Sequence, residues 1–186
     1  PDAIEAVQAE IEALQKLKHA NIVNLIEYGQ DMKTSSKKAP KKQNYLVLEL
    51  ATGGELFDFI AETGAFSEPV ARFYFKQMAT ALDYMHKNGV THRDLKPDNI
   101  MMSADFQVKI ADFGFAAPIQ GRDGSGMLAT QLGTPSYMAP EIIYGRKYEG
   151  SQVDIFALAI ILFIMSVQRP PYNSAHPEQD PHYQLI

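Results

Sequence analysis

Two short stretches constrain this chain more than anything else in it. His92-Arg93-Asp94-Leu95-Lys96-Pro97-Asp98-Asn99 sets acid, base and carboxamide side chains into one short run after a helix-ending Asn88-Gly89. Further along comes Asp112-Phe113-Gly114, a second acid with a glycine that frees the backbone. Two carboxylates and an amide delivered by two loops suit a divalent metal and a polyphosphate, and one of the acids can take a proton from an incoming hydroxyl. The rest of the composition narrows the field. A chain of 186 residues, 46% hydrophobic, buries one good core and reads as one domain. With no cysteine, disulfides, thiolate metal sites and a cysteine nucleophile are excluded. A net charge of −5 argues against general nucleic-acid binding. The longest apolar run, Ile155 to Met165, is short of the roughly 20 residues of a membrane span and reads as a buried core helix. No nucleic-acid or membrane partner is expected, and the cytoplasm is the expected location, with the nucleus as the alternative.

The two stretches together resemble the eukaryotic protein kinases, whose signature is H-R-D-L-x-x-x-N followed by D-F-G. Gly133-Thr134-Pro135-Ser136-Tyr137-Met138-Ala139-Pro140-Glu141 adds that family's A-P-E element in the right order. The resemblance implies an α+β, two-lobe fold, incomplete here, in which residues 1–50 are a remnant of the N-lobe and 51–186 the hinge and a C-lobe truncated after the helix the family calls αF. Gly53-Gly54-Glu55-Leu56-Phe57 is a phrase familiar from calmodulin-dependent and AMP-activated-type kinases.

Ile4, Val7, Ile11, Leu14 and Leu17 recur every three or four residues, which predicts a helix from Pro1 to Lys18. Pro1 suits its first turn, and Asp2 and Glu5 the positive end of its dipole. The resemblance makes this the family's αC helix and Glu10 the glutamate that pairs with a strand lysine near ATP. Asn21–Tyr28 and Asn44–Leu50 read as strands, and the acid-free run from Lys33 to Lys42, with five lysines, as a solvated mobile loop. The second strand resembles the one that enters the kinase hinge. Leu48 would then be the gatekeeper, with the Glu49 carbonyl and the Ala51 amide meeting adenine. Ser67 to Lys87 reads as an amphipathic helix capped by Ser67, with Pro69 in its first turn and Phe73, Tyr74, Met78, Ala81, Leu82 and Met85 as its stripe. Ile100–Met102 and Val108–Ile110 read as short strands, and the resemblance puts Met101 under adenine. Ala116 to Gln131 reads as a loop. Ser151-Gln152-Val153-Asp154 has the form of a capping box opening a helix apolar on all sides, expected to be buried all round. Asp154 matches the acid that braces the kinase catalytic loop. Phe156 and Ala159 depart from the Trp and Gly the family usually has there.

The resemblance assigns roles residue by residue. Asp94 orients the substrate hydroxyl and accepts its proton, Lys96 offsets charge on the moving phosphoryl group, and Thr134 hydrogen-bonds both. Asn99 and Asp112 hold Mg²⁺, with water and ATP phosphates completing its shell. Lys96, two residues after the acid, is the serine/threonine form. His92 and Phe113 match two rungs of a hydrophobic spine, so His92 is read as structural. Glu55 and Asp98 match positions that meet a basic residue upstream of the target Ser or Thr, and Glu55 borders the ATP site. Thr130 matches the site of an activating phosphate, with Arg93 as its partner. Ser125 is a rival site, and Ala6 and Ala117 stand where relatives often carry further basic partners. No G-x-G-x-x-G precedes the first helix, and no V-A-I-K-type lysine is available to Glu10. An intact catalytic loop with absent flanks is expected of a kinase fragment inactive by itself. The competing expectation is a kinase-like binding or scaffold module without turnover.

Overall fold

The computed structural model describes residues 3–35 and 38–185, and for 3, 31–35 and 38–43 the backbone path alone. Helix α1 (Ala3–Leu14) forms over the predicted stretch and buries Ile11, Ala13 and Leu14, but Ile4, the first residue of the expected stripe, stays 69% exposed. Pro1 and Asp2 lie outside the described residues. The helix ends before the expected Lys18: the Lys16 and Leu17 amides bond back three residues, to Ala13 and Leu14, and tighten the last turn. Strands β1 (Leu25–Ser35) and β2 (Lys38–Leu48) form an antiparallel hairpin from Leu25↔Leu48 to Ser35↔Lys38. This corrects the expected mobile loop. Both arms of the lysine-rich run continue the ladder, with Lys33 opposite Lys41, and only residues 36 and 37 fall outside the description. Repulsion between like charges on opposite strands costs a fraction of a kcal/mol per pair, less than the ladder it would have to break. The expected strand start at Asn21 is displaced as well: the Val23 amide bonds to the Ile110 carbonyl, so this segment is tied to a different ladder.

After α2 (Leu56–Thr63) and α3 (Glu68–Lys87) come β3 (Val90–Thr91), β4 (Ile100–Met102), β5 (Val108–Ile110) and β6 (Ala117–Pro118). β4 pairs with β5 and β3 with β6, both antiparallel. β4 and β5 keep the predicted bounds, while β6 is a short strand inside the expected loop. Ser67 sits at the N-cap of α3 in extended geometry, but its side chain makes no capping bond. Met78, Ala81, Leu82 and Met85 bury as expected. Phe73 does not: it stays exposed and packs edge-on against Tyr74.

α4 (Pro140–Ile143) leads to α5 (Gly150–Val167). The expected cap at Ser151 is wrong by two residues, since Glu149 is the N-cap and Ser151 lies inside the helix. Gly150 explains the early start. A Cβ there would stand 2.5 Å from the Thr91 side chain, so only glycine lets the helix begin against β3. α5 is long and apolar enough to cross a membrane, yet Ala157, Leu158, Ile161, Ile164 and Met165 pack into the core with residues of α3, β4 and β5, and Val153 packs into a second cluster with Leu128, Ala139, Ile142 and Tyr148. It is not buried all round: Ile155 is 58% exposed, and Phe163 and Val167 are exposed beside it.

Candidate active site

Asp154, on the buried side of α5, organises the loop after β3. Its Oδ2 accepts the His92 amide at 2.9 Å and its Oδ1 the Arg93 amide at 2.8 Å. His86 Nε2, on α3, lies 2.9 Å from the same Oδ2. These bonds hold Arg93 at φ 69°, a left-handed conformation costly for a residue with a side chain. The chain then delivers Asp94, 6% exposed, into the site.

Around Asp94 the predicted residues converge. Lys96 Nζ donates to Asp94 Oδ2 at 2.9 Å and to Thr134 Oγ1 at 3.1 Å, and the Thr134 hydroxyl donates to Asp94 Oδ1 at 3.0 Å. Thr134 arrives on a loop about forty residues downstream, at the N-cap of the turn Pro135–Tyr137. The turn Pro97–Asn99 brings Asn99 back, where its side-chain Nδ2 donates to the Asp94 backbone carbonyl at 2.9 Å and leaves the side-chain Oδ1 unspent among the described residues. The Ala111 amide bonds to the Asn99 carbonyl at 2.9 Å, which ties this turn to the strand preceding Asp112.

Asp112 also holds a left-handed backbone, φ 62°, and its Oδ1 takes the Gly114 amide at 3.3 Å. His92 supports it from beneath. Its Nε2 donates to the Ala111 carbonyl at 3.0 Å, its Nδ1 accepts the Asp94 amide at 3.3 Å, and its ring stacks on Phe113 with centroids 4.9 Å apart. Both ring nitrogens are thereby spent on backbone, so the structural reading of His92 agrees with the geometry. Glu10 comes from α1: its carboxylate accepts the Phe113 amide at 3.4 Å. Burial pushes its carboxyl above the ordinary range, the Phe113 bond opposes this, and the Asp112 charge adds to it.

The hinge side is less enclosed. The Glu49 carboxylate binds Lys109 Nζ at 2.5 Å, the Asn24 side chain at 2.7 Å and the Asn24 amide at 3.1 Å. Burial opposes ionisation there, but the bonds from Lys109 and Asn24 outweigh it and hold the carboxyl below its usual value. Among the described residues neither the Glu49 carbonyl nor the Ala51 amide is spent on the fold. Leu48 is half-buried opposite Leu25. The Gly53 amide bonds to the Met102 carbonyl, and Met102 returns a bond to Gly54, which fixes the hinge to β4. Met101 is half-buried and bridged to Glu55. Glu55 stands at the N-cap position of α2 without a side-chain capping bond, and α2 packs on the turn carrying the exposed Asp98.

Thr130 is exposed and further out. Its carbonyl accepts the Tyr148 hydroxyl at 2.8 Å, and that hydroxyl accepts Arg93 Nη1 at 3.5 Å. Tyr148, Lys109 and Tyr137 were not foreseen as site residues. Tyr137 is held protonated, pushed up to about 12 by burial and then by the charges of Asp98 and Asp94. Only its place in the loop before Ala139-Pro140-Glu141 could have pointed to it.

A buried acid shared by a lysine and a threonine, with an asparagine and a second acid beside it and backbone groups left open at residues 49 and 51, can hold a hydroxyl and a hard cation close together. The protein kinase domain model matches residues 2–185, and the chain belongs to that family. Similar proteins include CBL-interacting protein kinase 30 of Oryza sativa subsp. japonica, 38% identical over 173 residues, 93% of this chain and 34% of the relative. CBL-interacting serine/threonine-protein kinase 9 of Arabidopsis thaliana is 39% identical over 170 residues, 91% of this chain and 36% of the relative. CBL-interacting protein kinase 21 of Oryza sativa subsp. japonica is 41% identical over 169 residues, 91% of this chain and 30% of the relative. The chain thus spans about a third of the length of these relatives.

Proposed function

We propose that this chain carries the catalytic centre of a serine/threonine protein kinase that transfers the γ-phosphoryl group of ATP to Ser or Thr hydroxyls of protein substrates. The observation that carries the reading is the Asp94 carboxylate held between Lys96 Nζ and Thr134 Oγ1. A metal and a nucleotide fit the residues present. Among the described residues, Asn99 Oδ1 and one Asp112 oxygen are hard donors without a protein partner, and no cluster of three or more acidic, His or Cys side chains would cage a metal alone. That suits Mg²⁺, which keeps water and phosphate oxygens in its shell. Mg²⁺ bound there would neutralise phosphate charge. Adenine would bond the Glu49 carbonyl and the Ala51 amide, with Leu48 behind it and Met101 beneath it.

The chain's own groups do the rest. Asp94 Oδ2 orients the substrate hydroxyl and takes its proton, and Lys96 Nζ balances charge at the transferred group. Thr134 fixes both, so that neither reorganises during the step. Glu10, whose carboxylate accepts the Phe113 amide, is read as the glutamate that pairs with a strand lysine near ATP. Glu55 and Asp98 are read as selecting a basic residue upstream of the target hydroxyl. Thr130 is read as an activating phosphate site facing Arg93. Gly53 to Phe57 supports the calmodulin-dependent and AMP-activated-type grouping, residues 1–50 the N-lobe portion, and an intracellular setting goes with ATP as substrate. The relatives named for CBL interaction make a CBL protein the first partner to test. Transfer of labelled γ-phosphate from Mg-ATP to a Ser/Thr peptide array by the complete protein tests the reading. Basic enrichment upstream of the target, reduced by Glu55→Gln, is expected. Absence of transfer to any peptide would leave the scaffold reading standing instead.

A further inference from the structure

Arg93, Arg122 and Thr130 line one cavity of about 420 Å³ between α1 and the segment after β6. We propose that Arg122 is the second cation of a phosphate site at Thr130, supplied by the same loop that the phosphate orders. The proposal rests on Thr130 as the phosphate acceptor. In that reaction the Thr130 hydroxyl attacks the γ-phosphorus of a nucleoside triphosphate. The new O–P bond forms as the bond to the nucleoside diphosphate breaks, and the hydroxyl proton passes to a base of the phosphorylating enzyme.

Arg93 by itself is poorly supplied for this. Its Nε donates to the Phe115 carbonyl at 2.6 Å and its Nη1 to the Tyr148 hydroxyl at 3.5 Å, leaving Nη2 unspent. A phosphate brings about −1.5 to −2 charges and three strong acceptors, and Ala6 and Ala117 contribute nothing to meet them. Arg122 is different. Its side chain is exposed and has no hydrogen bond or ion pair among the described residues, so its whole donor fork is free.

The loop is built to present it. The Gly121 amide bonds to Pro118 and the Gly126 amide to Gln120, closing a compact turn around Arg122. Gly121 has φ 68°, and a Cβ there would stand 2.8 Å from the Met127 carbonyl, so the turn requires glycine. Two acids, Glu5 and Asp123, share the cavity wall. Asp123 Oδ1 takes both the amide of Ser125, at 3.0 Å, and its hydroxyl, at 2.7 Å. That pair commits the Ser125 hydroxyl and leaves Thr130 the freer acceptor. It also turns the Asp123 charge toward its own loop.

The test is ³¹P NMR titration of the protein carrying phosphothreonine at position 130, installed during synthesis. In the otherwise unchanged protein the second phosphate pKa should lie below that of the Arg122→Gln variant by roughly half a unit, the size of one exposed charge pair. Arg122→Lys should restore most of the difference. If Arg93→Ala raises the pKa and Arg122→Gln leaves it unchanged, the Thr130 site stands and the role of Arg122 is overturned. If neither arginine affects the titration, the Thr130 reading falls with it.

Discussion

The Asp154 carboxylate accepts the Arg93 amide at 2.8 Å, so the core helix α5 sets the backbone of the residue before Asp94. The same group takes the His92 amide and lies 1% exposed. Asp154→Ala would leave one buried amide, His92, and one partly buried amide, Arg93, without that partner, at about 1–3 kcal/mol each. A loss of about 2–5 kcal/mol in urea unfolding is expected, with a matching fall in phosphotransfer. A loss under about 1 kcal/mol would mean that water or relaxation satisfies both amides.

Glu10 carries a pH dependence with a definite sign. Its folded carboxyl is raised by burial and by Asp112 against the Phe113 bond, so folding favours the protonated form. The favourable contribution is complete below the unfolded carboxyl value, near 4.5, and is lost as pH rises through the raised folded value. In this chain, Glu10→Gln should therefore raise the melting temperature at pH 7, on the order of 1–2 °C. The gain should vanish near pH 4. Equal effects at both pH values would contradict the burial argument.

Thr134 tests positioning separately from proton transfer. Its hydroxyl donates to Asp94 and accepts from Lys96. Thr134→Val keeps the shape and removes both bonds, and should lower kcat about tenfold with little change in peptide KM. Thr134→Ser should recover most of the rate. An unchanged rate in the valine variant would show that Lys96 and Asp94 hold their geometry without it.

The loops that bring the candidate site residues together were legible in the sequence because each is a contiguous run. His92 to Asn99 and Asp112 to Gly114 are each one unbroken loop run, the first ending in the turn Pro97–Asn99, and β4 and β5, three residues each, keep their predicted bounds. Features set by close approach in three dimensions were not legible. The cap of α5 moved to Glu149 because Gly150 meets Thr91, two segments with no sequence relation. The lysine-rich run looked like a loop by charge, yet the backbone ladder from Leu25↔Leu48 extends through it. Asp180 gave no signal, but it is buried and accepts the amides of Asn173, Ser174, His182 and Tyr183, which orders the segment after α5. The Ser125–Asp123 pair and the free fork of Arg122 are likewise products of one glycine turn.

The central claim is that Asp94 acts on the substrate hydroxyl in the transition state and only slightly on nucleotide binding. Single-turnover phosphotransfer by the complete protein carrying Asp94→Asn, with nucleotide affinity measured on the same sample, tests this most directly. The expected result is a rate lowered about 10²–10⁴-fold with Mg-ATP affinity nearly unchanged, whereas Asp112→Ala weakens both. Near-normal transfer by Asp94→Asn would contradict the assignment.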